Sequence, residues 1–262
     1  MDSIANSLAQ TSISTRQAVL LLFLLAFVPL LLYVTSLIWA GRKVVLRPIR
    51  AFSTIRRVIS GAAETGRPIH LSLGTGGIAD SSTAESLAGV SVLQHVSSAA
   101  TSNGAPLVVT MADATLLPLA QQAAFGVWAN RAHRSGGPKP DVRLVAPDAT
   151  AYASGTMDMM QHEPISGSVL IGRFGQEYLL MGEVGARRPA PLVAGAQSMD
   201  ALPFIYATAD EPLLGEEIYS SGAYLEGLPA HIASLRVQDL MRILVALAIL
   251  AGVVLRSTNL WR

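Results

Sequence analysis

The chain has 262 residues, of which 51% are hydrophobic and only 14% carry a charge, whereas charged residues make up roughly a quarter of a typical soluble domain. The excess of apolar residues predicts that part of the chain lies in a membrane. The formal net charge is +1, so overall charge favours no particular partner. The chain has no cysteine, which excludes disulfides, thiolate metal ligands and a cysteine nucleophile.

Residues 17–41 contain no charged residue, and about 20 apolar residues are enough to span the hydrocarbon core of a bilayer. The stretch is too long for the apolar region of a secretory signal peptide, and no cleavage motif of small residues follows it. We therefore predict a retained transmembrane helix over residues 17–41, preceded by an N-terminal tail, residues 1–16. Pro29 lies inside this helix, where a membrane helix tolerates a kink.

Basic residues without any acidic residue follow this helix: Arg42, Lys43, Arg47, Arg50, Arg56 and Arg57. By the positive-inside rule, they place the following domain in the cytoplasm and the N-terminus outside. Anionic lipid headgroups attract such a segment, so we interpret these residues as membrane-surface contacts rather than as a nucleic-acid site. Within this basic connector, residues 42–67, the apolar spacing between residues 46 and 59 predicts a short amphipathic helix at the membrane surface.

From residue 68 the pattern changes to short apolar strands that alternate with longer helical stretches, which is typical of βαβ units. Ser82 and Glu85 predict a capping box at the start of the first domain helix. Beyond residue 164, the short apolar runs 168–171 and 177–181 predict a β-hairpin. The predicted strands are residues 69–73, 106–111, 142–146 and 203–208, and the predicted helices are residues 82–100, 115–133 and 149–160.

The predicted fold class is α/β: a Rossmann-like, three-layer cytoplasmic domain over residues 68–236, with a largely parallel sheet and a hairpin edge. The apolar run 243–255 is long enough to span a bilayer if its helix extends over residues 237–261, with Arg242 and Arg256 near the ends. We therefore predict a second transmembrane helix and C-terminal tail over residues 237–262. Two spans give a two-pass protein of the cell membrane with both termini outside.

A glycine-rich stretch follows the first predicted strand of the domain. Residues 74–79 match the pattern G-x-G-x-x-A of dinucleotide-binding loops, and Asp113 ends the second strand, where an acid that binds a ribose would stand. The predicted helix begins several residues too late for such a loop, and Asp113 lies well beyond the expected separation of about 20 residues. The alternatives are a strand-to-helix turn and an anion site on the loop N–H groups.

Asp113, Asp148 and Asp210 each follow a predicted strand, so a parallel sheet would gather them at its carboxyl edge, where open α/β sheets bind ligands. Capping of helices and turns is the competing interpretation. The histidines lack a metal-binding spacing, and neither a G-x-S-x-G elbow nor a P-loop motif occurs. We therefore expect no catalytic residue, no metal site and no cofactor. The candidate ligand-binding residues are Gly74, Thr75, Gly76, Gly77, Asp113 and Asp148.

Three segments carry a resemblance to a known family: residues 73–78 (LGTGGI), residues 82–89 (STAESLAG) and residues 110–114 (TMADA). In them the chain resembles an uncharacterised prokaryotic family of membrane proteins, in which an α/β domain lies between transmembrane helices. The resemblance covers nearly the whole chain. It implies an architecture and no catalytic residues.

The absence of a catalytic motif and the low charge of the domain, which suits buried protein contacts, favour a protein without enzymatic activity. We expect a membrane-anchored assembly or scaffold protein, acting through its cytoplasmic domain in a homo-oligomer or a larger membrane complex. Its partners would be the lipid bilayer and other protein subunits, and no nucleic acid. The alternative hypothesis is a nucleotide- or anion-binding membrane sensor or enzyme that uses residues 74–77 and Asp113.

Overall fold

The computed structural model describes residues 14–40, 46–135 and 137–257. The chain separates into two compact units: the domain Arg47–Gly227, and a unit that contains the helices at the two ends of the chain. The elements in chain order are α1 (Thr15–Trp39), α2 (Arg50–Thr65), β1 (Ile69–Gly74), α3 (Thr83–Asn103), β2 (Leu107–Met111), α4 (Leu117–Ser135), β3 (Asp141–Leu144), α5 (Ala149–His162), β4 (Gly167–Arg173), α6 (Tyr178–Arg187), β5 (Leu192–Ala196), α7 (Leu202–Thr208), β6 (Glu211–Leu214), α8 (Ser221–Tyr224) and α9 (Pro229–Ser257), with 3₁₀ helices at Ala114–Leu116 and Gly215–Ser220.

Helices α1 and α9 are both long and apolar enough to cross a membrane, and they pack against each other. Helix α1 begins with a capping box, because Ser14 Oγ accepts from the Gln17 N–H and Gln17 Oε1 accepts from the Ser14 N–H. Helix α9 begins at Pro229, earlier than the predicted start at Val237. The two helices confirm the predicted architecture of an α/β domain between apolar helices. Residues 1–13 and 258–262 of the predicted tails lie outside the described residues.

Helix α2 corresponds to the predicted amphipathic helix, but its apolar face is buried inside the domain. Phe52, Ile55 and Val58 are at most 2% exposed and share one core with strand residues such as Leu71 and Val169. The apolar face that would hold this helix on a membrane is therefore not accessible to lipid. The prediction of a surface helix is wrong on this point, because the periodicity of an amphipathic helix is the same for either kind of burial.

In the described chain, six parallel strands form one sheet in the order β3-β2-β1-β4-β5-β6. Leu71 in β1 is in register with Val109 of β2 on one side and with Val169 of β4 on the other. The chain builds outward from β1 to β3, returns through α5 to β4, and builds outward again to β6. This is a strand order of the doubly wound Rossmann fold, and the predicted α/β class with a Rossmann-like sheet is confirmed.

Helices on both faces of the sheet give three layers around two cores. On the first face, α3 contacts β1 and β4, α4 contacts β3, and α2 contacts β4, β5 and β6. On the second face, α5, α6 and α7 supply buried residues such as Tyr152, Met181 and Ile205. Because the connections after β4 lie on the second face, α2 covers the part of the first face that the βαβ units leave bare.

The predicted hairpin and last strand are wrong, since the described sheet is parallel throughout. The second arm of the hairpin is the start of α6, whose buried residues Tyr178, Met181, Gly182 and Gly185 have helical spacing. Residues 203–208 lie within α7, which has Pro203 in its first turn, a position where proline favours a helix start. Strands β5 and β6 were not predicted.

Candidate functional site

The direction in which strands are added reverses between β1 and β4, which are neighbours at the centre of the sheet. Open α/β sheets bind ligands outside the carboxyl ends of their strands at such a reversal. In this domain the reversal is bordered by residues 75–82, which follow β1, and by residues 174–177, which follow β4. The candidate site is therefore the carboxyl edge of the sheet between these two loops.

Gly74 is the last residue of β1 and lies against Arg173, the last residue of β4. Its φ is +77°, and a Cβ at this position would lie 2.1 Å from the backbone oxygen of Arg173. The N–H of Thr75 donates to that same oxygen at 2.9 Å. A positive φ and so close an approach of two backbones each favour glycine, which gives Gly74 a structural role.

Gly76 and Gly77 are buried, and atoms of the domain occupy the space beside both. A Cβ on Gly76 would lie 2.6 Å from Ser86 Oγ, and a Cβ on Gly77 would lie 2.6 Å from Asp113 Oδ2. In a dinucleotide-binding loop, the glycines let the backbone approach the pyrophosphate. Here the corresponding space is filled by side chains of the protein itself.

Several N–H groups of the same loop have acceptors within the domain. The Gly77 N–H donates to Ser82 Oγ and the Ile78 N–H to Thr115 Oγ1, both at 3.0 Å. The Ser82 N–H donates to Asp80 Oδ1 at 2.8 Å, and the Ser82 hydroxyl donates to the same oxygen at 2.6 Å. Anion-binding loops present such N–H groups to the ligand, so this geometry is that of a turn satisfied internally.

Asp113 and Asp148 occupy capping positions. Asp113 Oδ1 accepts from the Thr115 N–H at 2.7 Å at the start of a 3₁₀ helix, and Asp148 Oδ1 accepts from the Ala151 N–H at 2.9 Å at the start of α5. The structure brings Asp113 into contact with the glycine loop, whereas Asp148 follows β3, two strands away from β1. Ligand binding by either residue stays a prediction.

Asp210 does not join the carboxyl edge. It precedes β6, and its Oδ2 accepts from the Leu192 N–H at the first residue of β5, at 2.8 Å. Both atoms therefore lie at the amino edge of the sheet. The prediction for Asp210 is wrong because the segment before it is helix α7 and not a strand.

The predicted capping box at the start of α3 is also wrong. Ser82 occupies the N-cap position, but its side chain makes no hydrogen bond to the helix. Glu85 reaches the end of β4 instead, where Arg173 Nη1 donates to Glu85 Oε1 at 3.3 Å. The Glu85 side chain is only 7% exposed, whereas the Arg173 side chain is 43% exposed. In this ion pair at the β1/β4 reversal, the carboxylate is therefore buried and the guanidinium is accessible to solvent.

Two further segments lie beside Glu85: the residues that follow β5, with Gln197, and the 3₁₀ helix Gly215–Ser220, with Tyr219. Burial raises the pKa of the Tyr219 hydroxyl, and the negative charge of Glu85 raises it further. The Tyr219 hydroxyl donates to Oε1 of Gln197, which follows β5. Burial also raises the pKa of the Glu85 carboxyl, while the nearby Arg173 guanidinium and the Gln197 backbone N–H oppose this rise. We call Glu85, Arg173, Gln197 and Tyr219 the edge cluster.

The structure describes four of the basic residues predicted to contact a membrane surface, while Arg42 and Lys43 lie outside the described residues. Two of the four are tied to the C-terminal part of the domain, because Arg47 pairs with Glu217 and Arg56 donates to the backbone oxygen of Tyr224. Membrane contact by these residues stays a prediction. The four described residues are all exposed: Arg47, Arg50, Arg56 and Arg57.

A buried polar network lies on the second face of the sheet. His70 Nε2 is 2.9 Å from Thr110 Oγ1, and the Tyr152 hydroxyl is 2.5 Å from Ser72 Oγ and 3.2 Å from Thr110 Oγ1. Burial, helped by the positive charge of Arg143, lowers the pKa of His70 to about 3, so its ring is neutral near pH 7. Within the described residues, no group of three or more His, Asp and Glu side chains is arranged to hold a metal ion.

Sequence reasoning missed the edge cluster. Glu85 has the spacing of a capping residue, and Arg173 follows an apolar run that also fits a hairpin. A usable signal was present, because Arg173 is the first charged residue after the buried run Ser168 to Ile171. A charge at the last residue of a central parallel strand indicates the carboxyl edge of the sheet, where side chains reach solvent.

Comparison with known proteins identifies a family without assigning an activity. The sequence profile of a domain of unknown function, DUF6754, matches residues 9–261. No curated protein and no solved structure matches the chain. Because the profile covers nearly all of the sequence, the predicted membership of an uncharacterised family is confirmed: the chain belongs to the DUF6754 family.

Proposed function

We propose that the protein is a membrane-anchored, non-enzymatic assembly protein, whose α/β domain holds together a homo-oligomer or a larger membrane complex. The observation that carries the proposal is the closed glycine loop. The sheet has the strand order of a nucleotide-binding fold, but the space beside Gly76 and Gly77 is filled by Ser86 and Asp113. Fold alone does not imply a ligand, and this filled loop favours a structural use of the domain.

The proposal includes a membrane anchor made of α1 and α9. In support, both helices are long and apolar enough to cross a bilayer, and most of their large apolar side chains are exposed. The basic residues that follow α1 favour a cytoplasmic domain and outside termini under the positive-inside rule. Anionic lipid at the cytoplasmic surface would then attract the exposed arginines Arg50 and Arg57.

Extraction in mild detergent, followed by mass measurement of the protein without its micelle, tests the assembly role. We expect a mass of at least two chains, or defined subunits that copurify with the chain. A single chain without copurifying protein, at concentrations near those in the membrane, would overturn the proposal. Chemical cross-linking in intact membranes before extraction is the control for complexes that detergent breaks.

The nucleotide hypothesis is tested separately, by thermal unfolding with nucleotides and phosphorylated metabolites. We expect no saturable stabilisation that depends on the loop. A saturable shift that is present in the native protein and absent in Gly76→Val would support a nucleotide-binding role instead. Because a Cβ on Gly76 would lie 2.6 Å from Ser86 Oγ, the unfolding of Gly76→Val without ligand must be measured first.

Orientation is tested with single cysteines, since the chain has no native cysteine. Gln176 lies exposed in the domain and Ser257 is exposed at the end of α9. With an impermeant thiol reagent in intact cells, we expect labelling of Ser257→Cys and none of Gln176→Cys. The reverse pattern would place the domain outside. Permeabilised cells provide the control, because both variants should then react.

A further inference from the structure

Arg173 and its neighbours leave hydrogen-bonding capacity unused at the carboxyl edge. A guanidinium has five N–H donors, and among the described residues the Arg173 guanidinium donates only to Glu85. Glu85 Oε2 and the hydroxyl of Ser86 are buried and have no hydrogen-bond partner in the described chain. Buried polar atoms are seldom left unpaired in native proteins, so these two buried atoms beside the exposed, unused donors of Arg173 point to a missing partner at the β1/β4 reversal.

We propose that Arg173 binds the oxyanion group of a small molecule, a carboxylate or a tetrahedral oxyanion, and that Glu85 positions the guanidinium and takes up a proton when the anion binds. This site borders the glycine loop, since Ser86 Oγ and Arg173 Cβ both lie beside Gly76, but its donor is the Arg173 guanidinium and not the loop N–H groups. It also does not depend on the assembly role proposed above.

The geometry favours Arg173 as the contact with the ligand. Its side chain is 43% exposed while its partner Glu85 is buried, so Glu85 fixes one edge of the guanidinium and leaves the others free. A planar guanidinium binds carboxylate and phosphate groups through two parallel hydrogen bonds. Gln197 and Tyr219 are exposed residues near Glu85, and they are bonded to each other, because the Tyr219 hydroxyl donates to Gln197 Oε1.

Proton uptake follows from the charges around Glu85. Three groups act on its carboxylate: Arg173 of β4 and the Gln197 N–H favour the charged form, and Asp80 of the glycine loop opposes it. Tyr219 of the 3₁₀ helix is a further neighbour of Glu85, and the Arg173 guanidinium also acts on Asp80. A bound anion shares the single guanidinium with Glu85, and burial already disfavours the charge on Glu85. Neutralising Glu85 is therefore the way to relieve the repulsion, and binding should strengthen as the pH falls.

The test uses the full-length protein in detergent micelles and sulfate as the probe, because sulfate keeps its charge between about pH 6 and 8. The unfolding temperature is measured against sulfate concentration, with sodium chloride balancing the ionic strength. Sulfate also stabilises proteins without binding, so the specific effect is the saturable part. We expect saturation in the native protein and its loss in Arg173→Gln.

Arg143→Gln is the matched control. Arg143 has a similar exposure of 38% and also forms ion pairs with carboxylates, Asp141 and Glu163, but it lies on β3 away from the reversal. Its variant should keep the saturable response to sulfate. If Arg173→Gln does not fold, Arg173→Lys retains the charge and should weaken sulfate binding, since a lysine cannot form the two parallel bonds. An unchanged response in the Arg173 variants would overturn the site.

Glu85→Gln tests the proton uptake. In the native protein, sulfate affinity should rise as the pH falls, by at most about tenfold per pH unit for one proton. In Glu85→Gln, sulfate should bind more tightly at pH 7 and with little dependence on pH. A pH dependence that persists in Glu85→Gln would overturn the role of Glu85. Acetate in place of sulfate then distinguishes a site for carboxylates from one for tetrahedral anions.

Discussion

The two faces of the sheet are buried equally but built differently, and β1 shows the contrast. Its residues Ile69, Leu71 and Leu73 enter the first core, which also contains α2. The residues between them, His70 and Ser72, belong to the polar network with Tyr152 on the second face. Central parallel strands are usually apolar throughout. In this domain the alternation of apolar and polar residues therefore marks a buried network and not a solvent-exposed face.

The largest effect that we predict comes from the first face. Phe52 of α2 is 2% exposed and stacks on Tyr224 at 5.1 Å between ring centroids. Phe52→Ala should lower the free energy of unfolding by about 3 to 5 kcal/mol, the usual cost of deleting a buried aromatic ring. Equilibrium unfolding in urea, followed by circular dichroism in micelles, measures this.

The neighbouring residue Ser53 is exposed on the same helix and provides the control. Ser53→Ala should change the free energy of unfolding by no more than about 0.5 kcal/mol. Equal and small effects of Phe52→Ala and Ser53→Ala would show that α2 is peripheral to the domain. The apolar packing of α2 would then not be what stabilises the first face.

The second face should make stability depend on pH through His70. Its pKa is lowered from 6.5 to about 3 in the folded protein, so the unfolded chain binds a proton first when the pH falls. The contribution of the neutral ring is complete above pH 6.5 and is lost between pH 6.5 and about 3, by roughly 1 kcal/mol for each pH unit. Urea unfolding between pH 7 and 4 measures the slope.

His70→Gln removes the titrating group, and its stability should fall less steeply with acid than that of the native protein. The raised pKa of Glu85 acts in the opposite direction, but Glu85 is present in both proteins and cancels in the comparison. His162 is exposed, so His162→Gln is the control and should keep the native slope. Parallel curves for the native protein and His70→Gln would show that the buried network carries no pH dependence.

The N-terminal half of the fold was predictable because its strands and helices differ clearly in length and periodicity. The C-terminal half was not. Residues 177–181 include Leu179, Leu180 and Met181, a run that fits a strand as well as a short helix, and only the buried spacing over ten residues identifies α6. Strand β5, Leu192–Ala196, is short and partly made of alanine and glycine, residues with low strand propensity.

The candidate site was only partly predictable. The glycine motif and Asp113 were found from the sequence, and they do lie together. The packing of Gly74 and Gly76 depends on Ser86 and Arg173, which come from a helix and from a distant strand. A glycine motif indicates which backbone conformations the loop can adopt. Which side chains pack against the glycines depends on tertiary contacts, and the motif does not contain that information.

A smaller effect should come from the Tyr152 hydroxyl. Tyr152→Phe keeps the ring but removes the partner of Ser72 Oγ at 2.5 Å and of Thr110 Oγ1 at 3.2 Å. The cost should be about 1 to 3 kcal/mol, the penalty for a buried polar group left without its partner. Tyr206 is exposed, and Tyr206→Phe should be neutral in the same urea experiment. A neutral Tyr152→Phe would mean that the second face behaves as an apolar core.

The smallest effect concerns Asp148, which caps α5, the helix that carries Tyr152 onto the second face. Asp148→Ala should cost about 1 kcal/mol, whereas Asp148→Asn should be nearly neutral, because asparagine caps helices as well as aspartate does. Urea unfolding separates capping from a role that needs the negative charge, since such a role would be lost in both variants. If Asp148→Asn is as destabilising as Asp148→Ala, the carboxylate itself interacts favourably at the start of α5, through the positive end of the helix dipole, and the second face depends on charge at its edge as well as on hydrogen bonds in its core.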